Sequence, residues 1–126
     1  MKILLLGALV AGTISVAAQA KPEATGEISY PKGSIGYEAL MRGDNARAIS
    51  QITTSAKISK HDPAKLLNLG RAHARMGQTE QAAAYFKAAM QARDSVDLVL
   101  ADGRVMNSKV VAREAFANLQ KRVATR

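Results

Sequence analysis

The sequence predicts a small, mainly α-helical protein with one short β-hairpin near its C-terminus. Apolar residues recur three and four positions apart, the spacing that gives a helix one apolar face, in segments 35–41, 45–57, 63–75, 79–92 and 109–123. Glycines and an Asp-Pro pair separate the first four segments and are typical of turns and helix ends. A β-branched run interrupted by Asp102 and Gly103 is instead typical of a hairpin, because Asp-Gly favours a tight turn between strands.

Residues 1–20 have the pattern of a secretory signal peptide. Lys2 supplies the positive charge, residues 3–18 are almost wholly apolar, and Ala18 and Ala20 are the small residues that cleavage requires. We therefore expect export, to a periplasm or out of the cell, with cleavage after Ala20. The alternative is an uncleaved membrane anchor, for which the apolar run is short, since a spanning helix needs about 20 residues.

The composition limits the chemistry and the partners. The chain of 126 residues has 18 Lys and Arg against 10 Asp and Glu, a net charge of +8, and no cysteine. The excess positive charge favours anionic partners. Basic residues are not interleaved with aromatic residues on which bases would stack, so we expect no nucleic-acid partner. Without disulfides, packing alone has to stabilise the domain.

The clearest pattern lies in residues 63–94, which predict two helices, Pro63–Arg75 and Thr79–Ala92, joined by a turn at Gly77. Asp62 is a natural N-cap, and proline is favoured in the first turn of the helix that follows it.

The same spacing recurs upstream, in residues 29–62. Gly36 precedes Gly70 by the same interval as Gly43 precedes Gly77, and we call this the repeat interval. The helices predicted for this first copy run over 35–41 and 45–57. Residues 21–28, which precede it, are polar and are expected to form a flexible lead-in.

The pattern resembles the tetratricopeptide repeat (TPR), whose period equals this interval and whose helix pair carries a Leu-Gly step and an A-x3-F run. The residues that carry the resemblance are Leu66, Leu69, Gly70, Ala82, Phe86 and Ala89. His73 stands where the repeat usually has tyrosine, and the first copy departs from the pattern at Lys32 and Ser55. The resemblance implies two stacked helix pairs in which glycine and alanine allow the helices to cross closely.

The resemblance also implies a peptide-binding groove lined by the first helix of each pair. Carried onto this sequence, the groove positions are Tyr37, Leu40, Met41, Leu67, Arg71 and Arg75. Arg71 and Arg75 are four residues apart and so share a helix face, where two guanidinium groups can bind a carboxylate. A solvated arginine pair is the alternative. Because Leu67 stands where chaperone-binding members have a lysine, recognition of chaperone tails is not expected.

Residues 95–126 depart from the repeat. They predict strands at Leu98–Ala101 and Arg104–Met106, or alternatively a broken helix that ends at Gly103. A final helix, Lys109–Val123, follows an Asn-Ser cap, and its apolar stripe consists of Ala112, Phe116, Leu119 and Val123. Because two repeats rarely close a core, either this segment completes the stack or the chain forms a homodimer.

No enzyme motif is present in the sequence. His61 and His73 are twelve residues apart and there is no cysteine, so no metal site is expected, and no phosphate-binding loop or nucleophile motif points to a cofactor or a catalytic residue. We expect a non-catalytic module that binds a protein or peptide, in particular an acidic one, within an envelope assembly. The alternatives are a cationic protein that docks on anionic lipid or cell-wall polymer, and an unrecognised hydrolase.

Overall fold

The computed structural model describes residues 28–29, 36–100 and 103–126. The predicted signal peptide and residues 21–27 lie outside the described residues. In chain order the elements are β1 (Ile28–Ser29), α1 (Tyr37–Met41), α2 (Asn45–Thr54), α3 (Pro63–Arg75), α4 (Thr79–Gln91), β2 (Asp97–Leu100), β3 (Val105–Asn107) and α5 (Ser108–Ala124). The prediction of a mainly helical fold with a C-terminal hairpin is confirmed.

The five helices pack in sequence order, with α3 at the centre. Helix α3 contacts α2, α4 and α5, and α4 contacts α5 along much of its length. Connections of three residues join α1 to α2 and α3 to α4, so each pair is antiparallel. One apolar core lies between α3, α4, α5 and the sheet, and a second lies between α1, α2 and α3.

Both helices of the first pair are shorter than predicted. Helix α1 begins at Tyr37 rather than at residue 35, because Gly36 adopts the left-handed conformation (φ 81°) and cannot continue the helix. Helix α2 ends at Thr54 rather than at residue 57, and Ser55 is extended. The hydroxyl of Thr54 donates to the Ser50 carbonyl at 2.8 Å within the last turn of the helix.

The N-cap of α3 is the one that the sequence predicts. The Asp62 carboxylate accepts a hydrogen bond from the backbone N–H of Lys65 at 2.7 Å, and Pro63 occupies the first helical position. Helix α2 has the same kind of cap, in which Asp44 accepts from the N–H of Arg47 at 3.2 Å on an exposed surface.

Replacing Asp62 by alanine is expected to lower the free energy of unfolding by about 1 kcal/mol, because a first-turn N–H of the central helix loses its acceptor. Asp44→Ala is the matched control and is expected to cost less, since its bond is longer and water can replace it. Urea denaturation of the two variants measures both losses. An equal loss in both would contradict the importance given to the α3 cap.

The hairpin forms with its strands shifted from the predicted positions. Asp97 pairs with Asn107 and Val99 pairs with Val105. Two backbone bonds of 2.8 Å, from Gly103 N–H to the Leu100 carbonyl and from Leu100 N–H to the Arg104 carbonyl, close the turn. The loop is therefore longer than the two-residue Asp-Gly turn of the prediction, and Gly103 supplies its left-handed residue (φ 82°). A broken helix at this point is excluded.

A third strand, β1, was not predicted. Ile28 pairs with Leu100 and Ser29 pairs with Val99, so β2 becomes the central strand of an antiparallel sheet. The sequence had placed residue 28 in a lead-in and residue 29 in the first repeat.

The sheet is joined to α5 through Ser108, which is completely buried. Its N–H donates to the Val96 carbonyl at 2.8 Å, and its hydroxyl accepts from the N–H of Val96 at 3.1 Å. Asn107 caps α5 as predicted, since its side chain accepts from the N–H of Lys109 at 3.0 Å. Of the predicted apolar stripe on α5, Val123 alone lies mainly in solvent, at 51% exposure, because it belongs to the last turn of the helix.

Candidate functional site

The two helix pairs make the same close contact one repeat interval apart. A Cβ atom added to Gly36 would lie 2.6 Å from Cγ1 of Ile52, and one added to Gly70 would lie 2.5 Å from Cε1 of Phe86. In each pair, therefore, a glycine at or next to the first helix lets a large apolar side chain of the second helix approach the backbone. The pairs differ at one point, because Gly36 precedes its helix while Gly70 lies within its helix.

The turns inside the two pairs are also alike. The glycines at positions 43 and 77 are both left-handed, with φ of 76° and 74°. In the first turn the N–H of Asp44 donates to the Ala39 carbonyl at 2.9 Å, and in the second the N–H of Gln78 donates to the His73 carbonyl at 2.9 Å. This is the Schellman pattern that ends helices at a glycine.

The apolar residues predicted for the groove lie at different depths. Leu40 and Leu67 are buried, at 7% and 1% exposure, and belong to the two cores rather than to an accessible floor. Met41 is 43% exposed and is available to a partner. The side chain of Tyr37 lies outside the described part of the structure.

Arg71 and Arg75, the arginines predicted for the groove, lie on one side of α3, one helical turn apart. Both are partly buried. Arg75 reaches across to the first helix pair, where its Nη1 donates to the Leu40 carbonyl at 3.1 Å and to Oδ1 of Asn45 at 3.5 Å. The sequence did not predict this contact. It fixes the position of the Arg75 guanidinium between the two helix pairs.

A third arginine, Arg122 of α5, adds its positive charge to the surroundings of these two. Burial, the larger cause, and the positive charge of Arg122 together lower the pKa of Arg71 to about 10. The same two causes lower the pKa of Arg75. Arg71 therefore remains charged at neutral pH. No sequence signal links Arg122 to the other two, because its charge acts on them through the tertiary fold, in which α5 packs against α3.

The two histidines have different surroundings, because His73 packs against an aromatic ring and His61 is exposed. His73 stacks on Tyr85 with ring centroids 5.3 Å apart and planes at 18°, and its Nδ1 forms a hydrogen bond with Oε1 of Gln78. It therefore packs between α3 and α4. His61 is exposed in the connection before α3. Within the described ranges, no three His, Cys, Asp or Glu side chains lie close enough together to hold a metal ion.

The chain matches no protein-family model, no curated protein and no solved structure. None of the helices in the described part of the chain combines the length and the apolarity needed to cross a membrane.

Proposed function

We propose that this protein is an exported, non-catalytic scaffold of the TPR type that binds an acidic segment of another protein or a peptide. The observation that carries the proposal is the recurrence, at the repeat interval, of one glycine-to-apolar contact and one turn geometry in two adjacent helix pairs. Two such pairs side by side present the first helices of both on one surface, which is how helical-repeat proteins form binding grooves. The N-terminal signal pattern supports export.

The surface formed by α1 and α3 has the chemistry that an acidic segment requires. Arg71 and Arg75 provide planar guanidinium groups that bind carboxylates through two parallel hydrogen bonds. Met41 adds an exposed, adaptable apolar side chain. The net charge of +8 attracts acidic partners over a longer range.

Helix α5 supports a monomeric scaffold. It packs along α4, the outer helix of the second pair, and its buried residues Val111, Ala112 and Leu119 belong to the same core as Phe86. A C-terminal helix that covers the last pair is what a short repeat array needs. The homodimer is the alternative, and sedimentation velocity separates the two.

Arg75→Gln is expected to weaken binding of a partner about tenfold, because one charge-assisted contact is replaced by a neutral one. The measurement is affinity capture from an envelope extract at near-physiological salt, followed by direct titration of the purified partner. Glutamine is shorter than arginine and does not reach the Leu40 carbonyl as Nη1 does, so retention of the fold has to be measured alongside binding. Circular dichroism checks that the helices are retained.

Two further variants make this test decisive. Met41→Ser replaces an exposed apolar side chain by a polar one and leaves the core residues unchanged. It is also expected to weaken binding of the partner. Arg113→Gln, an exposed position on α5, makes the same charge change as Arg75→Gln and is expected to leave capture unchanged. If Arg75→Gln and Met41→Ser both capture the partner as well as the parent chain does, the proposed surface is wrong.

The second candidate is a cationic protein that docks on an anionic envelope surface. It is favoured by the exposed basic residues in and just after the last turn of α5, Lys121, Arg122 and Arg126. Binding of this kind collapses between low and moderate salt, whereas a groove with apolar contacts loses much less. Titration against anionic vesicles over a range of salt therefore separates the two functions.

A further inference from the structure

We propose that Met41 is an oxidation site through which peroxide weakens binding of the partner. The inference rests on the proposed function and deepens it, since it adds a means of regulation to the same surface. It names the reactant, a peroxide, and the product, a methionine sulfoxide. Met76 is exposed to the same extent but is not a groove position, so we expect it to be oxidised without effect on binding.

Methionine carries all of the sulfur in this chain. The sequence has five methionines, no cysteine and no tryptophan, so the thioethers are the side chains that peroxide oxidises most readily. Met1 lies outside the described residues. The other four, Met41, Met76, Met90 and Met106, fall into two classes of exposure.

Two of these methionines are open to solvent and two are not. The exposed fractions of Met41 and Met76 are 43% and 44%. Met90 and Met106 are partly buried and pack against the core between α3, α4, α5 and the sheet. Because a dissolved oxidant has to reach the sulfur atom before it can react, we expect Met41 and Met76 to react first.

The two exposed methionines lie at the same end of the helix pairs. Met41 is the last residue of α1 and follows Leu40, whereas Met76 is the C-cap of α3 and follows Arg75. The hydrogen bond of 3.1 Å from Arg75 to the Leu40 carbonyl brings these two helix ends together. Met41 is a position of the predicted groove and Met76 is not. Met76 is therefore a matched control for the same chemistry at nearly the same exposure.

The reaction transfers one oxygen atom from the peroxide to the sulfur of Met41. With hydrogen peroxide, a sulfur–oxygen bond forms as the oxygen–oxygen bond breaks, and the departing hydroxide takes the proton of the transferred oxygen and leaves as water. The thioether loses two electrons and the peroxide gains them, so no other reactant is needed. Methionine sulfoxide reductases convert the product back to the thioether, which makes the modification reversible.

A sulfoxide changes the contact that the Met41 side chain offers to a partner. The thioether is flexible, polarisable and apolar, whereas the sulfoxide is polar and chiral. A partner that covers Met41 takes the new oxygen out of water without supplying a donor, which costs binding free energy. Met41 is exposed and belongs to neither of the two apolar cores, so the same change is expected to leave the fold intact.

The first measurement is the rate of oxidation at each methionine. The full-length chain is treated with hydrogen peroxide, and mass spectrometry of its peptides follows each sulfoxide with time. We expect Met41 and Met76 to be oxidised at similar rates, about fivefold faster than Met90 and Met106, because exposure decides access to the sulfur. Oxidation of Met41 at the rate of Met90 and Met106, or more slowly, would overturn the proposal.

The second measurement compares affinity before and after peroxide treatment in the parent chain, in Met41→Leu and in Met76→Leu. The probe is the partner protein purified by affinity capture, added after the peroxide has been removed. Leucine has nearly the volume of methionine but no sulfur. We expect treatment to weaken binding about tenfold in the parent chain and in Met76→Leu, and less than about twofold in Met41→Leu. Each chain is compared with itself, so any effect of leucine on the initial affinity cancels.

Thermal unfolding of the treated chains provides a further readout. We expect the melting temperature of the parent chain to change little while its affinity falls. A lowered melting temperature that Met41→Leu prevents would show that Met41 acts through the fold, and it would overturn the proposal. A loss of affinity that persists in Met41→Leu would overturn it as well.

The outcome is separable from that of the broader proposal. If Arg75→Gln and Met41→Ser weaken capture but peroxide treatment does not, the α1–α3 surface binds the partner and this inference alone fails. If the parent chain captures no partner, or if neither variant alters capture, both proposals fail.

Discussion

Replacing Gly70 by valine is expected to lower the free energy of unfolding by about 3 kcal/mol, which is a large part of the stability of a small domain. The added Cβ would lie 2.5 Å from Cε1 and 2.6 Å from Cδ1 of Phe86, a residue buried at 4% exposure between α3 and α4. Either the ring leaves its position or the two helices separate. Removal of a helical glycine by itself recovers less than about 1 kcal/mol. Urea denaturation gives the difference.

A double-mutant cycle shows whether the ring is responsible. Phe86→Leu alone is expected to cost about 1 kcal/mol, and in the Gly70→Val background it is expected to cost less or to restore stability, because the smaller side chain leaves room for the new atoms. Ala84→Val, at an exposed position of α4, is the control for placing valine in a helix and is expected to cost a few tenths of a kcal/mol. Additive losses at Gly70 and Phe86 would contradict the crossing geometry.

Signals that act over a few residues predicted the helices well. Asp62 and Pro63 fix the start of α3, and Gly77 fixes its end, because capping and a left-handed glycine are decided by the residues themselves. The first pair was predicted less accurately, since nothing in the sequence shows that Gly36 is left-handed while the equivalent Gly70 is helical.

The sheet shows where local signals stop being sufficient. Asp-Gly correctly predicted a hairpin, but it is compatible with loops of different lengths, so the strand bounds were displaced. Strand β1 is only two residues long, and its partner, β2, lies far along the chain. A strand of that length has no alternating pattern to detect, and long-range pairing is specified by tertiary contacts.

The candidate site was predicted in part. The spacing placed Arg71 and Arg75 on one face of α3, as observed, because a four-residue interval is fixed by the helix itself. Their burial, the bond from Arg75 to Leu40 and the effect of the Arg122 charge on their pKa values depend on how α1, α2 and α5 pack around α3. The same packing buries Leu67, which the predicted groove had placed at its surface. Export, the TPR assignment and the binding of an acidic partner remain predictions.

Gly36→Ala is expected to be the other severe substitution, with a loss of about 2–4 kcal/mol, because two costs combine at this position. The residue has φ of 81°, which a side chain disfavours, and the added Cβ would lie 2.6 Å from Cγ1 of Ile52. Gly77→Ala is the matched control. Its φ is 74° but no atom beyond its chain neighbours lies within 4 Å of the added Cβ, so we expect only the conformational cost of about 1 kcal/mol.

Replacing Ile52, the large side chain that faces Gly36, separates the steric cost from the conformational cost. In the Gly36→Ala background, Ile52→Ala is expected to cost less than it does alone, but the conformational strain at residue 36 remains, so relief is incomplete. Gly70 is helical, so the clash accounts for the whole cost of substitution there. A smaller residue at position 86 is therefore expected to recover a larger fraction of the lost free energy of unfolding than Ile52→Ala recovers at Gly36. Thermal and urea unfolding of both cycles measure this. If the smaller side chain recovers the same fraction of the lost free energy of unfolding in both pairs, the φ value of Gly36 contributes nothing. A smaller recovered fraction at Gly36 would mean that the two pairs share one helix crossing but differ in backbone conformation at the glycine.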